Sequence, residues 1–139
     1  MNVLVIDGQG GQLGGQIIKL LKENFDGLDI TAVGTNATAT ATMIKAGAKN
    51  AATGENPVAV ASRKADVIIG PIGIVIADSL LGEVTEKMAL SISRADASRI
   101  LIPMNKCENL IAGVPNLNTA ALIADAVAKL RNISNSRTT

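Results

Sequence analysis

The sequence predicts a single α/β domain built around a mostly parallel β-sheet. Short apolar runs alternate with longer segments in which apolar residues recur at helical spacing. A glycine-rich stretch, "DGQGGQLGG", joins the first apolar run to the first helical segment. The 139 residues suffice for one domain with a core, and 47% of them are hydrophobic, mainly Ala, Val, Ile and Leu, which suit buried parallel strands.

The first strand and the first helix are the clearest elements. Residues 3–6 form a continuous apolar run that is soon followed by glycine, which predicts a buried strand. Leu13, Ile17 and Leu21 then recur at helical spacing, so a helix is expected that ends at Asp26-Gly27. Strands are expected at residues 3–6, 30–33, 50–53, 66–70 and 100–104, with a sixth, short strand at 110–112.

Further helices are expected between these strands. Thr35 or Asn36 suits the N-cap of the second helix, and Gly47 suits its C-terminal end. Asn56 is the expected cap of the third helix, with Pro57 in its first turn. The expected helices after the first cover residues 37–46, 57–64, a segment that starts at Thr85, and 119–130.

Strands that alternate with helices in this way imply right-handed crossovers between parallel strands. The chain is therefore expected to form one Rossmann-like, doubly wound domain over residues 1–131, with five to six strands in the order 3-2-1-4-5 and helices on both faces. Residues 132–139 are expected to be a flexible tail.

Ligands of open parallel sheets bind beyond the carboxyl ends of the strands, which sorts the polar residues by position. Asp29, Asp66 and Arg99 precede strands and are expected at the opposite end of the sheet. The polar residues that follow strands, and so lie on the expected functional rim, are Asp7, Gln9, Gln12, Thr35, Asn36, Thr53, Glu55, Asn56, Asn105 and Lys106.

The glycine loop is the principal candidate site. Gly8, Gly11 and Gly14 give the spacing G-x-x-G-x-x-G, which lets backbone amides approach a phosphate at the start of a helix. We expect a nucleotide or dinucleotide, NAD(P) or another, to bind here, whereas the alternative is a purely structural turn. The expected contact residues are Gly8, Gln9, Gly10, Gly11, Gln12, Leu13 and Gly14.

Two features differ from an ordinary NAD site. Asp7 ends the first strand, where a carboxylate repels phosphate unless it is protonated, paired or metal-bound. The second strand ends in Val33-Gly34-Thr35-Asn36, which lacks the acidic residue that binds a ribose hydroxyl. Thr35 and Asn36 are expected to contact ribose or base, although either could simply cap the following helix.

A second glycine segment, Gly70, Pro71, Ile72 and Gly73, also follows a strand. It could bind an anion or close the site over the far half of a dinucleotide, or it could be a sharp turn whose apolar continuation is buried. Residues 71–83 are ambiguous, and a short helix over 74–81 is expected among them. Asp78 and Glu83 could act as acids there, but such residues more often cap helices or face solvent.

Absent residue types exclude several classes of protein. Because the chain has no His and one cysteine, Cys107, it cannot form a catalytic triad, a histidine metal site or an internal disulfide. The lack of Trp and Tyr and the net charge of +1 argue against nucleic-acid partners. No signal peptide or membrane-spanning run is evident, so a cytoplasmic protein without membrane partners is expected.

Apolar segments at residues 72–81 and 120–128 exceed what a small domain needs to cover its sheet. Small residues at helical spacing in the second of them, such as Ala120, Ala124 and Ala128, permit close helix contact. A twofold homodimer is therefore expected.

Five stretches occur in order: "VLVIDGQGGQLG", "AVGTNATAT", "ATGENPV", "ADVIIGPIGIVIADSLLGEVT" and "ILIPMNKCENLIAGV". Together they resemble a bacterial family of small proteins catalogued as a domain of unknown function, over nearly the whole chain. The resemblance implies a Rossmann-like nucleotide-binding fold, with no assigned activity and no catalytic residues to carry over.

The leading hypothesis is thus a binder of a nucleotide or other small phosphate-bearing ligand. If the protein is an enzyme, Asp7, Glu55 and Lys106 are the candidate acid/base or charge-stabilising groups. One alternative is a non-enzymatic oligomeric module that senses a small anionic metabolite or binds a protein partner. Another is metal-assisted phosphoryl chemistry on Asp7 with Glu55 as a second carboxylate, although no metal site is predicted.

Overall fold

The computed structural model describes residues 1–104 and 109–138 and shows a five-stranded parallel sheet in the order β3-β2-β1-β4-β5. The predicted Rossmann-like fold and strand order are confirmed. A 3₁₀ turn at Ile72–Val75 follows β4. The elements are β1 (Asn2–Asp7), α1 (Gln12–Asn24), β2 (Asp29–Gly34), α2 (Ala37–Lys45), β3 (Asn50–Thr53), α3 (Glu55–Lys64), β4 (Val67–Pro71), α4 (Glu86–Arg94), β5 (Ser98–Ile102) and α5 (Thr119–Arg137).

Both faces of the sheet are covered because successive side chains of a strand point to opposite sides. Val3 and Val5 of β1 pack with α1, α2 and α5, whereas Leu4 and Ile6 pack with α3 and α4. All four of these side chains are at most 1% exposed. Asp7 continues the Val3 and Val5 side of the strand, which directs its carboxylate toward α1.

The connection from β4 to α4 is not the helix expected over residues 74–81. After the 3₁₀ turn the chain forms tight turns in which Asp78, Leu80 and Leu81 have positive φ angles of 67°, 56° and 57°. Three such residues within four positions cannot continue a right-handed helix. The connection buries Leu80 at 3% exposure and leaves Leu81 95% exposed.

Helix α3 starts earlier than expected, at Glu55 with Gly54 at its N-cap, so Asn56 lies inside the helix rather than capping it. Residues 110–112 form no strand. The N-cap of α2 is Asn36, whose Oδ1 accepts a hydrogen bond from the Ala39 amide at 2.8 Å. This confirms one of the two predicted alternatives.

Helix α5 extends to Arg137, which corrects the expected helix end near residue 130 and the expected flexible tail over residues 132–139. Tertiary contacts explain the extension. Arg131 lies 3.8 Å above the Phe25 ring and donates to the Asn24 carbonyl, and Arg137 donates to Asp66 at 3.1 Å. The Asn2 amide and Arg137 together hold the pKa of Asp66 below its usual value.

Within residues 1–104 and 109–138, no helix is both long enough and apolar enough to cross a membrane.

Candidate functional site

The glycine loop lies at the carboxyl end of β1, between the ends of β2 and β4. Gly11 is the N-cap of α1 and has a φ of 74°, a left-handed conformation that favours glycine. A Cβ on Gly11 would lie 2.6 Å from the Ala39 carbonyl oxygen, and one on Gly14 would lie 2.6 Å from the Met43 sulfur. These glycines therefore permit α1 to pack directly against α2. By contrast, a Cβ on Gly10 would meet no atom within 4 Å.

Asp7 holds this loop in place from the end of β1. Its Oδ1 accepts the Gly8 amide at 2.8 Å and its Oδ2 accepts the Gly14 amide at 2.7 Å. The side chain is only 6% exposed, and this burial raises the pKa of Asp7, opposed by the two amide bonds. Main-chain amides, rather than a basic side chain, are thus the hydrogen-bond partners of the Asp7 carboxylate. This carboxylate is the feature in which the loop differs from an ordinary dinucleotide-binding sequence.

Three amides of the loop stay available. The Gly11 amide donates to Gly8 and the Gly15 amide to Gly11. Within the described parts of the chain, the amides of Gly10, Gln12 and Leu13 have no hydrogen-bond acceptor. Such unpaired amides at the start of a helix, with the positive end of its dipole, attract anions.

A second carboxylate, that of Glu83, reaches the other side of the loop. Its Oε1 accepts three hydrogen bonds: from the Gln9 amide at 2.9 Å, from Thr35 Oγ1 at 2.7 Å and from Asn36 Nδ2 at 2.7 Å. Desolvation acts to raise the pKa of Glu83, but the three hydrogen bonds outweigh it and the pKa is lowered. Glu83 is therefore ionised at neutral pH and well satisfied.

Thr35 and Asn36, expected to contact ribose or base, instead direct these donors at Glu83. Asn36 also donates to the Gln9 carbonyl at 3.0 Å while capping α2. The structure thus brings Thr35, Asn36 and the glycine loop together, as the rim argument expected, with a protein carboxylate between them. Their contact with a ligand stays a prediction, since it requires Glu83 to release both side chains.

The second glycine segment packs tightly. Gly70, Pro71 and Gly73 are buried, and a Cβ on Gly70 would lie 2.4 Å from the Ile6 carbonyl oxygen in the neighbouring strand. The Ser79 hydroxyl donates to the Gly73 carbonyl. Ile72 is partly exposed. In this structure the segment shapes the turn that carries Leu80 and Glu83 back over the glycine loop, and a role in closing the site over a ligand stays a prediction.

A cleft of about 330 Å³ opens at the glycine loop. Its apolar wall comes from Leu13, Leu80 and Met104, and its polar floor comes from the loop. An apolar wall facing a few main-chain donors is typical of a small-molecule site. The cleft is lined by Asp7, Gly8, Gln9, Gly10, Gly11, Gln12, Leu13, Leu80 and Met104.

The other candidate residues lie away from the glycine loop or outside the described residues. Glu55 begins α3 after β3, which is separated from β1 by β2, so it is roughly 10 Å from the Asp7 strand by sheet spacing alone. Asn105, Lys106 and Cys107 lie outside the described residues. Within the described residues, no group of three or more Cys, Asp or Glu side chains is arranged to hold a metal ion.

Glu83 is the residue at the loop whose contacts sequence reasoning did not predict. The sequence offered it as an acid near Gly70–Gly73, or as a residue that caps a helix or faces solvent. Its position depends on how the connection after β4 folds back, and no local pattern encodes that. The one signal in the sequence was a glutamate two residues before the Thr85 cap, within a segment that is more apolar than an ordinary exposed loop.

The fold and this loop define a Rossmann-like α/β protein with a cleft at the start of its first helix. The chain belongs to the family described as "Domain of unknown function (DUF3842)", whose model matches residues 2–135, so the resemblance found in the sequence is confirmed. Among curated proteins, none is significantly similar to the chain.

A solved structure with a similar chain path is the crystal structure of a dodecameric FMN-dependent Ubix-like decarboxylase from Escherichia coli O157:H7. The identity is 14%, the match covers 94% of each chain, and the TM-score is 0.48. We draw no conclusion about ligand or reaction from a likeness at this level.

Proposed function

We propose that the protein binds a nucleotide, or another small phosphate-bearing ligand, at the glycine loop. The observation that carries the proposal is the set of unpaired amides of Gly10, Gln12 and Leu13 at the first turn of α1, beside a cleft with one apolar wall. Phosphate accepts hydrogen bonds from such amides, and the helix dipole favours its charge. The apolar wall from Leu80 and Met104 suits a base or other flat ring.

The two carboxylates are compatible with an anion at these amides. Asp7 is buried and each of its oxygens accepts a hydrogen bond from a loop amide, so these two amides offset part of its charge. Glu83 lies on the β2 side, where three donors offset its charge. The free amides of Gln12 and Leu13 lie in the first turn of α1, which begins directly after Gly11.

The test is a thermal-shift series with AMP, ATP, FMN, FAD, NAD, NADP and inorganic phosphate, with and without magnesium. A ligand present at about 100 times its dissociation constant adds roughly 2.7 kcal/mol to stability and raises Tm. We expect at least one nucleotide to do so. No shift from any of them would overturn the proposal.

Gly10 provides the matched variant. Because a Cβ there meets nothing, Gly10→Asp introduces a carboxylate beside the free amides without disturbing the fold. It should abolish the shift. Gln16→Glu adds the same charge at an exposed position of α1 outside the loop and should leave the shift intact. Equal loss in both variants would point to a nonspecific charge effect.

Self-association is a second proposed property, and exposed apolar side chains favour it. Leu81 is 95% exposed and Leu110 is 94% exposed. Burying such a side chain against a second chain removes its apolar surface from water, which favours association. We propose the twofold homodimer expected from the sequence, with Leu81 in its interface.

A further inference from the structure

We propose that the glycine-loop site accepts ligands with a single nucleotide unit and excludes dinucleotides, because Glu83 occupies the place of the second unit. The inference rests on the nucleotide binding proposed above and names the class of ligand that the site takes. Three features support it. The side-chain donors at the end of β2 already donate to Glu83, side chains fill the crevice between the loops after β1 and β2, and the Glu83 carboxylate brings negative charge to this place.

The first feature is the use of donors at the end of β2. In doubly wound dinucleotide sites the first loop holds the pyrophosphate, and a residue at the end of the second strand binds the ribose of one of the two nucleotides. Here that position belongs to Thr35 and Asn36, and both side chains donate to Glu83 Oε1 at 2.7 Å. The Gln9 amide, the loop donor nearest to them, is bound to the same oxygen.

The second feature is the closed crevice between the first two loops. Asn36 donates to the Gln9 carbonyl, and Thr42 of α2 donates to the Gly10 carbonyl at 2.8 Å. A single added carbon on Gly8 would lie 2.6 Å from Thr35 Oγ1, 2.8 Å from Leu80 and 3.0 Å from Glu83. The side chains of Thr35, Leu80 and Glu83 thus fill the space in front of Gly8, and a ribose would have to displace them to enter it.

The third feature is charge. The oxygen of Glu83 is fixed among its three donors, and a second phosphate placed near them would meet a carboxylate in a partly buried setting, where repulsion between like charges is strong. The amides of Gly10, Gln12 and Leu13 donate to no acceptor within the described residues, so a phosphate bound to them takes no donor from Glu83.

The turn that carries Glu83 is held together by its own main-chain hydrogen bonds. The Asp78 amide donates to the Val84 carbonyl at 2.7 Å, and the Val84 amide donates to the Ser79 carbonyl at 3.2 Å. These bonds pair the two ends of the turn, and buried Leu80 anchors it to the core. Glu83 is therefore presented by a closed turn, which makes its displacement by a ligand costly.

The experiment compares ligands that differ only by an added AMP unit: FMN against FAD, and nicotinamide mononucleotide against NAD. Isothermal titration calorimetry gives the dissociation constant of each for the wild type and for Glu83→Ala and Glu83→Gln. We expect the wild type to bind the mononucleotide of a pair at least about tenfold more tightly, which is about 1.4 kcal/mol. Glu83→Ala should reduce that preference to less than about threefold, and Glu83→Gln, which removes charge but keeps bulk, should have an intermediate effect.

Glu86→Gln is the matched control, since it removes the same charge from an exposed position three residues away and should keep the wild-type preference. Equal binding of both members of a pair by the wild type overturns the exclusion while nucleotide binding stands. A preference that neither Glu83 variant changes also overturns it. If none of the four ligands binds, this inference fails, whereas the proposed function fails only if AMP, ATP, NADP and inorganic phosphate also leave Tm unchanged.

Discussion

Asp7 and Gly14 connect the end of β1 to the first turn of α1: Oδ2 of Asp7 accepts the Gly14 amide at 2.7 Å, while Oδ1 accepts the Gly8 amide. The carboxylate thereby spans the whole glycine loop from inside. It satisfies two amides that would otherwise be left unpaired in a buried place, which makes it a structural clamp of the proposed phosphate site.

Asp7→Asn should destabilise the protein by about 1–3 kcal/mol, because Asn keeps one acceptor oxygen and turns its amino group toward the other buried donor. Urea denaturation at neutral pH measures the loss. Asp26→Asn is the control, since Asp26 is exposed, and it should change stability by less than about 0.5 kcal/mol. Equal stability of the two variants would show that the clamp contributes nothing.

Gly11→Ala and Gly10→Ala should differ sharply. At Gly11 the positive φ and the 2.6 Å approach to the Ala39 backbone oxygen leave no room for a Cβ, so the variant should lose about 2 kcal/mol or more. At Gly10 a Cβ meets nothing, and the change should stay within about 0.5 kcal/mol. Thermal unfolding of the two proteins tests this, and a Gly10→Ala loss as large as that of Gly11→Ala would contradict the loop geometry.

Glu83 should give the protein an acid-sensitive component of stability. Its folded pKa lies below the ordinary value of 4.5, so its contribution is complete above that value and is lost as the pH falls through the folded pKa. Glu83→Gln should therefore show a flatter decline in unfolding free energy than the wild type between about pH 6 and pH 3. The Glu86→Gln protein should follow the wild-type curve, and a Glu83→Gln curve parallel to it would refute the assignment.

Arg131→Ala should lower stability by about 1 kcal/mol, because Arg131 stacks on the Phe25 ring and donates to the Asn24 carbonyl. Lys129→Ala removes only an exposed pair with Asp125, so it should cost less than about 0.5 kcal/mol. Chemical denaturation distinguishes the two. If Arg131 did not make these two contacts, both substitutions would be equally mild.

Leu81→Ser should shift the protein toward the monomer, since Leu81 is 95% exposed and lies in the proposed dimer interface. Sedimentation velocity at micromolar concentration measures the mass of the wild type and of the variant. Because Leu81 makes little contact with its own core, the variant should keep the wild-type Tm at low concentration. A wild-type monomer under these conditions would remove the dimer proposal.

Much of the fold could be predicted from the sequence because its signals are local. The buried run at the start of β1, the glycines before α1 and the cap at Asn36 each act within a few residues, and alternating elements leave few topologies open. The rim argument also placed Asp7, Thr35 and Asn36 near one another, because carboxyl ends of neighbouring parallel strands share an edge.

By itself, then, the sequence determined the α/β class, the strand order and the position of a glycine loop, in which Gly11 has a conformation that favours glycine. The tertiary structure alone decided where Glu83 lies and where α5 ends. Both depend on contacts between residues far apart in the chain: Glu83 on Gln9, Thr35 and Asn36, and α5 on Phe25 and Asp66. Such contacts form only when distant segments meet, so no local pattern records them, and they determine which of the loop's donors are left for a ligand.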